Sequence, residues 1–286
     1  LDPDGMFPNH EPNPENQDAM KSIQSAVLNT KADLGIIFDT DVDRAAIVDS
    51  DGTIINRNTL IALISSIILR EHPGSTIVTD SVTSDGLTEF INKSLGGRHH
   101  RFRRGYKNVI NEAIRLNSVG VECHLAIETS GHGAIKENFF LDDGAYLVVK
   151  ILAEMARLRV ENNKGLSSLI SKLKQPVEEK EFRITLLDED FTSQGNHIIA
   201  SLEKFVLSKN GWAIVPDNYE GLRISCSPGY GNGWFLMRMS LHDPVIPLNI
   251  ESEVNGGIQQ IGLILINFLQ SFSNIRYDSL RDYLSD

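Results

Sequence analysis

The sequence predicts an α/β chain in which consecutive mixed α/β units are followed by an α+β C-terminal unit. Three observations predict it. Between residues 59 and 159, strand-like and helix-like stretches alternate at the rhythm of a parallel sheet covered on both faces. Around residues 172–181, clustered charge and Pro176 break that rhythm. Ahead of residue 57, an apolar hairpin pattern carries three acids, Asp39, Asp41 and Asp43, at the end of its first strand.

The elements follow in order. Residues 2–16 are rich in Pro, Asn and Asp, and the chain opens on Leu1 rather than Met. This reads as the inside of a loop of a longer protein, so a fragment is expected. An amphipathic helix is predicted over 19–28 and strands over 33–38 and 45–48. Asp51-Gly52 turns the chain, and 53–55 pairs back as a hairpin. Asn58 is the predicted cap of a helix over 59–70, ended by Pro73-Gly74. A strand at 76–79, a helix at 85–95 closed by Gly96-Gly97, a strand at 99–103, a helix at 106–116, a strand at 122–127 and a long helix at 143–159 complete the alternating unit. In such sheets ligands sit at the carboxyl ends of strands, which singles out residues 80–84, 103–107 and 128–132. The last unit is predicted to hold a strand at 182–187, a helix at 192–207, strands near Trp212, Leu222, Trp234 and Leu248, and a helix at 257–272.

Composition narrows the function. A net charge of −11 over 286 residues argues against nonspecific nucleic-acid binding, because phosphates would be repelled. No apolar run is long enough to span a bilayer, so no membrane partner is expected. Cys123 and Cys226 alone imply neither a disulfide framework nor a Cys-rich zinc site, which points to an intracellular, reducing compartment.

Three carboxylates packed as Asp39-Thr40-Asp41-Val42-Asp43 repel one another unless a cation neutralises them, and an all-oxygen set suits Mg²⁺ beside phosphate chemistry. An EF-hand is excluded, since Arg44 and Ser50 stand where Gly and Glu belong. An Asp-nucleophile phosphotransferase, with Asp39 attacking, and a solvated acidic turn without an ion are the alternatives. Arg98, Arg101, Arg103, Arg104 and Lys107 crowd a short stretch of an acidic chain and suit a phosphorylated ligand, Lys107 lying near a helix N-terminus. In Glu128-Thr129-Ser130-Gly131-His132, a carboxylate and a hydroxyl two residues apart can grip neighbouring sugar hydroxyls, and His132 can move a proton at neutral pH. Arg238, Ser240 and His242 in the last unit are candidate phosphate ligands.

Taken together these segments resemble the phosphohexomutase superfamily of phosphoglucomutases, phosphomannomutases and phosphoglucosamine mutases. The opening residues 3–14, the run Asp39-Thr40-Asp41-Val42-Asp43-Arg44, Gly105-Tyr106-Lys107 and Glu128-Thr129-Ser130-Gly131-His132 resemble its motifs in their order and separations. The resemblance implies residues 1–57 as the latter part of a metal-binding domain 2, 58–174 as sugar-binding domain 3 and 175–286 as phosphate-binding domain 4. It implies phosphoryl transfer between O1 and O6 of a hexose phosphate, with Mg²⁺ on Asp39, Asp41 and Asp43 and a hexose 1,6-bisphosphate as intermediate and activator. Arg44, Lys107 and His132 take catalytic roles, Glu128 and Ser130 bind the sugar, and Arg238, Ser240 and His242 bind phosphate. The family's phosphoserine belongs to a domain 1 that this reading makes a missing N-terminal partner, so the chain alone is expected to be inactive. In the last loop Leu241 stands where the family has Gly, which blocks close backbone approach to a phosphate. A mutase-like binding protein without turnover is the alternative that this departure suggests.

Overall fold

Asn16 accepts the backbone N–H groups of Asp18 and Ala19 and so opens helix α1 (Gln17–Thr30), which ends in a left-handed residue, Lys31. The computed structural model describes residues 4–162, 165–240 and 243–285. The chain divides into two units, Leu1–Lys174 and Gln175–Asp286. In the first, strands β1 (Leu34–Phe38), β2 (Ala45–Asp49) and β3 (Ile54–Ile55) form an antiparallel sheet in that order. Val27 of α1 packs with Ala46 and Val48 beneath it.

The alternating pattern then builds α2 (Arg57–Glu71), β4 (Thr76–Thr79), α3 (Asp85–Glu89), β5 (Arg98–Arg101), α4 (Tyr106–Ser118), β6 (Cys123–Ile127), β7 (Gly133–Ile135) and α5 (Gly144–Asn162). The sheet order is β5-β4-β6-β7, with β4 parallel to both neighbours and β7 antiparallel at the edge. Since β5 and β6 flank β4, the chain reverses direction across the sheet between β4 and β6, the place where α/β sheets bind ligands. Three expectations are corrected here. The sheet is mixed, because the short Gly-Ala-Ile run doubles back on β6. The predicted helix over 85–95 is α-helical only to Glu89 and continues as a π-helical turn, Phe90–Ser94. Asn56, reciprocating with Thr59, caps α2, while Asn58 accepts from the Ser84 N–H at 3.1 Å instead. The core is aliphatic, with Leu60, Ile64 and Ile68 of α2 meeting Ile77, Leu125, Leu147 and Ile151.

The second unit holds β8 (Glu178–Leu186), α6 (Phe191–Leu207), β9 (Trp212–Ile214), β10 (Leu222–Cys226), β11 (Gly233–Met237), β12 (Val245–Ser252), α7 (Gly257–Leu269), β13 (Ile275–Arg276) and α8 (Asp278–Ser285). Its six strands run antiparallel in the order β13-β8-β12-β11-β10-β9. Phe182, Ile198, Phe235 and Ile261 centre its own core. β13 and α8 extend the predicted plan. Among the described residues no helix is long and apolar enough to cross a membrane.

Candidate functional site

The aspartate loop joins β1 to β2, whose pairing ends at Phe38 and Ala45. Asp39 is buried and accepts twice from Arg44, from its backbone N–H at 3.2 Å and from Nε at 2.6 Å. The guanidinium also reaches Asn13 Oδ1 at 3.3 Å. Burial opposes ionisation of Asp39, yet the bonds from Arg44 outweigh it and hold the carboxyl below the usual range. Asp43 goes the other way: burial, against the pull of His132 and aided by Asp39 and Asp142, lifts it to about 6. Val42 between Asp41 and Asp43 adopts φ 66°, a strained choice for a β-branched residue. Carboxylate oxygens of Asp39, Asp41 and Asp43 lie within 4.8 Å of one another, and Asp43 Oδ1 is buried without a hydrogen-bond partner among the described residues. An all-oxygen set with one orphaned buried acceptor fits a hard divalent cation.

The loop after β6 is tied to this one by backbone. Ala45 N–H donates to Gly131 O at 3.4 Å, and Arg44 and His132 form an isolated antiparallel bridge. Gly131 has φ 98°, and a Cβ there would lie 2.9 Å from Ala45 O. From the other side, Gly144 N–H at the start of α5 donates to Val42 O at 3.1 Å. A Cβ on Gly144 would meet that same oxygen and Arg44 C at 2.9 Å. Two glycines therefore let the sugar-loop candidate and α5 close directly onto the aspartate loop.

Within the β6 loop, Glu128 is buried and takes the Gly105 N–H at 2.6 Å. Burial first, then the nearby Asp80 carboxylate, pushes Glu128 up to about 7. Ser130 Oγ is buried with no hydrogen-bond partner among the described residues. His132 Nδ1 lies 2.8 Å from Asp142 Oδ2 and 3.7 Å from Asp43 Oδ2. Burial opposes its protonation, but Asp142 and then Asp43 outweigh it and raise its pKa. The ring stacks on Tyr106 at 4.9 Å, and Lys107 Nζ sits 5.7 Å from the Tyr106 centroid. Asp39, Asp41, Asp43, Arg44, Lys107, Glu128, Ser130 and His132 are thus brought to one region.

Arg101 has a different task from the one the sequence suggested. It braces the β4 loop, donating to Thr83 Oγ1 at 3.2 Å and to Ser84 O and Asp85 Oδ1 at 2.8 Å. In the second unit, Arg238 follows β11, is buried, and has Nη1 3.8 Å from Glu220 Oε1. Ser240 N–H donates to Val245 O at 3.0 Å, and Ser240 Oγ accepts from Asp243 N–H at 3.3 Å. Leu241 and His242, like Pro3 of the opening run, lie outside the described residues.

Two residues of this region were not predicted individually. Asp80, fully buried after β4, accepts from Thr129 N–H at 2.8 Å and Thr129 Oγ1 at 2.6 Å, and so locks the two strand-end loops together. Its place at a parallel strand's carboxyl end was the available signal. Asp142 orients His132 and also accepts from Gly133 N–H at 3.1 Å. In sequence it reads as half of an acidic helix start, and Asp143 does serve α5 that way by accepting from Tyr146 N–H at 2.8 Å. His99, between Thr79 and Thr88 hydroxyls at 2.7 and 2.8 Å, and His100, on Glu112 at 2.9 Å, are structural.

Residues 1–52 match the family described as phosphoglucomutase/phosphomannomutase, alpha/beta/alpha domain II, and residues 56–177 match its alpha/beta/alpha domain III. A phosphomannomutase/phosphoglucomutase of Pseudomonas putida is 29% identical over 260 residues, covering 90% of this chain and 51% of the relative. A phosphoglucomutase/phosphomannomutase family protein of Burkholderia thailandensis superposes with a TM-score of 0.76 at 26% identity, covering 94% of this chain and 53% of that one. An Aspergillus fumigatus N-acetylphosphoglucosamine mutase, solved with GlcNAc-6P and magnesium, shares the fold alone, at 10% identity and TM-score 0.51 over 87% of this chain and 52% of that one. The chain spans about half the length of the curated relatives it matches. With both domain descriptions matching in order across more than half of its residues, the chain belongs to the phosphoglucomutase/phosphomannomutase family of α-D-phosphohexomutases.

Proposed function

We propose that this chain carries the metal- and sugar-binding machinery of a phosphohexomutase that moves phosphate between O1 and O6 of a hexose phosphate. The observation that carries the reading is the backbone closure of the β6 loop and the start of α5 onto the aspartate loop, which gathers the three aspartates, Glu128, Ser130 and His132 in one place. Residues 1–57, 58–174 and 175–286 then act as metal, sugar and phosphate domains. Asp39, Asp41 and Asp43 would hold Mg²⁺, which supplies positive charge against the charge developing on the phosphoryl group. The magnesium in the Aspergillus mutase supports that choice of ion.

Arg44 fixes Asp39 and keeps it ionised. That double engagement favours Asp39 as a ligand over Asp39 as a nucleophile. Glu128 and the unsatisfied Ser130 hydroxyl receive sugar hydroxyls. Asp142 holds Nδ1 of His132, which turns Nε2 to the substrate for proton transfer. Lys107 offers a cation beside it. The phosphoserine donor and the sugar 1,6-bisphosphate come from outside this chain, and Arg238, Ser240 and His242 bind the second phosphate. Two free, buried cysteines support a reducing compartment. A second reading, sugar-phosphate binding without turnover, is favoured by Arg238 lying buried beside Glu220.

The test is turnover of glucose 1-phosphate to glucose 6-phosphate by the chain with its upstream coding region restored, given Mg²⁺ and a trace of the 1,6-bisphosphate. Turnover is expected. Binding without turnover, with mannose and glucosamine phosphates also tried, selects the second reading.

A further inference from the structure

The amino ends of β4 and β6 carry a second cluster of donors, on the opposite side of the sheet from the site above. His72 precedes β4, while Glu122 and His124 stand at the start of β6. The two strands are parallel neighbours, and Thr76 N–H donates to Glu122 O at 2.8 Å. One donor atom from each of His72, Glu122 and His124 lies within 4.8 Å of the others. The two imidazoles stack face to face, centroids 3.6 Å apart and planes 9° apart, and Glu122 Oε1 is 2.8 Å from His124 Nε2. Glu71 and Glu137 add negative potential around His72, and the Lys136 charge acts on Glu122.

We propose that His72, Glu122 and His124 form a transition-metal site that takes a borderline divalent ion such as Zn²⁺. Two imidazoles and a carboxylate are a donor set that such ions prefer and that Mg²⁺ does not. Parallel rings aim their lone pairs side by side, so one must turn for the nitrogens to converge. His72 is the ring that turns, since it is half-buried and its side chain makes no hydrogen bond among the described residues. Metal there clips the end of α2 to β6, far in the sheet from the strand-end loops.

The test is calorimetric titration of the chelator-treated chain with Zn²⁺ in saturating Mg²⁺, which occupies the aspartate cluster. One site is expected, with affinity falling at least about tenfold in His72→Ala and in His124→Ala. Melting curves without metal establish that each variant folds, and His72→Gln serves if His72→Ala does not. Equal Zn²⁺ affinity in wild type and both variants overturns the proposal. So does loss of the Zn²⁺ signal in Asp41→Asn alone, which would place the ion on the aspartates. Neither result depends on mutase turnover.

Discussion

The two ends of the β5-β4-β6-β7 sheet solve the problem of placing charge in opposite ways. At the carboxyl end, Asp80 and Glu128 are buried and held by backbone N–H groups of neighbouring loops. At the amino end, His72, Glu122 and His124 meet by side chains alone, and Glu122 is exposed. At the carboxyl end, burial and then the nearby Asp80 raise Glu128, although the Gly105 N–H opposes the rise. At the amino end, the bond from His124 lowers the exposed Glu122, and burial lowers His72. The two ends therefore carry comparable residue types under different restraint, backbone bonds between loops at one and side-chain contacts at the other.

Substitutions sharpen or break this contrast. The largest effect is expected next to the sheet in the aspartate loop: Asp39→Ala strands Arg44 and lowers unfolding free energy by about 3 kcal/mol in urea titrations. Asp41→Ala, at an exposed carboxylate, changes it by about 0.5 kcal/mol or less. Equal effects would mean that the Arg44 bond is not part of the folded frame.

Glu128 comes next. Its folded pKa of about 7 stands above the ordinary 4.5, so between those values the native chain binds a proton that the unfolded chain has released. Stability is thus full below about pH 4.5 and falls as pH rises through 7, by roughly 3 kcal/mol for a shift of this size. Glu128→Gln should flatten that fall in melts between pH 5 and pH 8, and an unchanged slope would show that Glu128 is not the source. Gly131→Ala places a side chain at φ 98° against Ala45 O and should destabilise by about 2 kcal/mol while weakening Mg²⁺ binding. Asp41→Asn should weaken Mg²⁺ at least about tenfold in calorimetry with little change in melting, and unchanged affinity would remove the loop from metal binding. The smallest effect belongs to the amino end: Glu122→Gln without metal should leave the melting curve essentially unchanged.

Much of this was legible in residue order. Alternating apolar runs located β4, α4 and β6 nearly to the residue, and the spacing of Asp39, Asp41 and Asp43 announced one cluster. What the order did not carry is tertiary. β7 is a three-residue Gly-Ala-Ile run with no periodicity of its own, defined only by pairing with β6. Asp142 sits beside Asp143 in one acidic pair, and only the folded chain separates the one that orients His132 from the one that starts α5. Arg101 looked like its basic neighbours, and only the return of the β4 loop shows that its guanidinium is occupied.

The closure at Gly131 and Gly144 has a consequence for engineering. Both glycines press on the same few backbone atoms between Val42 and Ala45, yet they come from separate segments. A β6 loop transplanted from another relative to change sugar preference would arrive with its own curvature, and it would seat only if the aspartate loop and the first turn of α5 travelled with it. The smallest interchangeable cassette is therefore discontinuous in sequence, three pieces inherited together. Chimeras cut at a single junction inside that set are expected to lose the cation before they gain a new sugar.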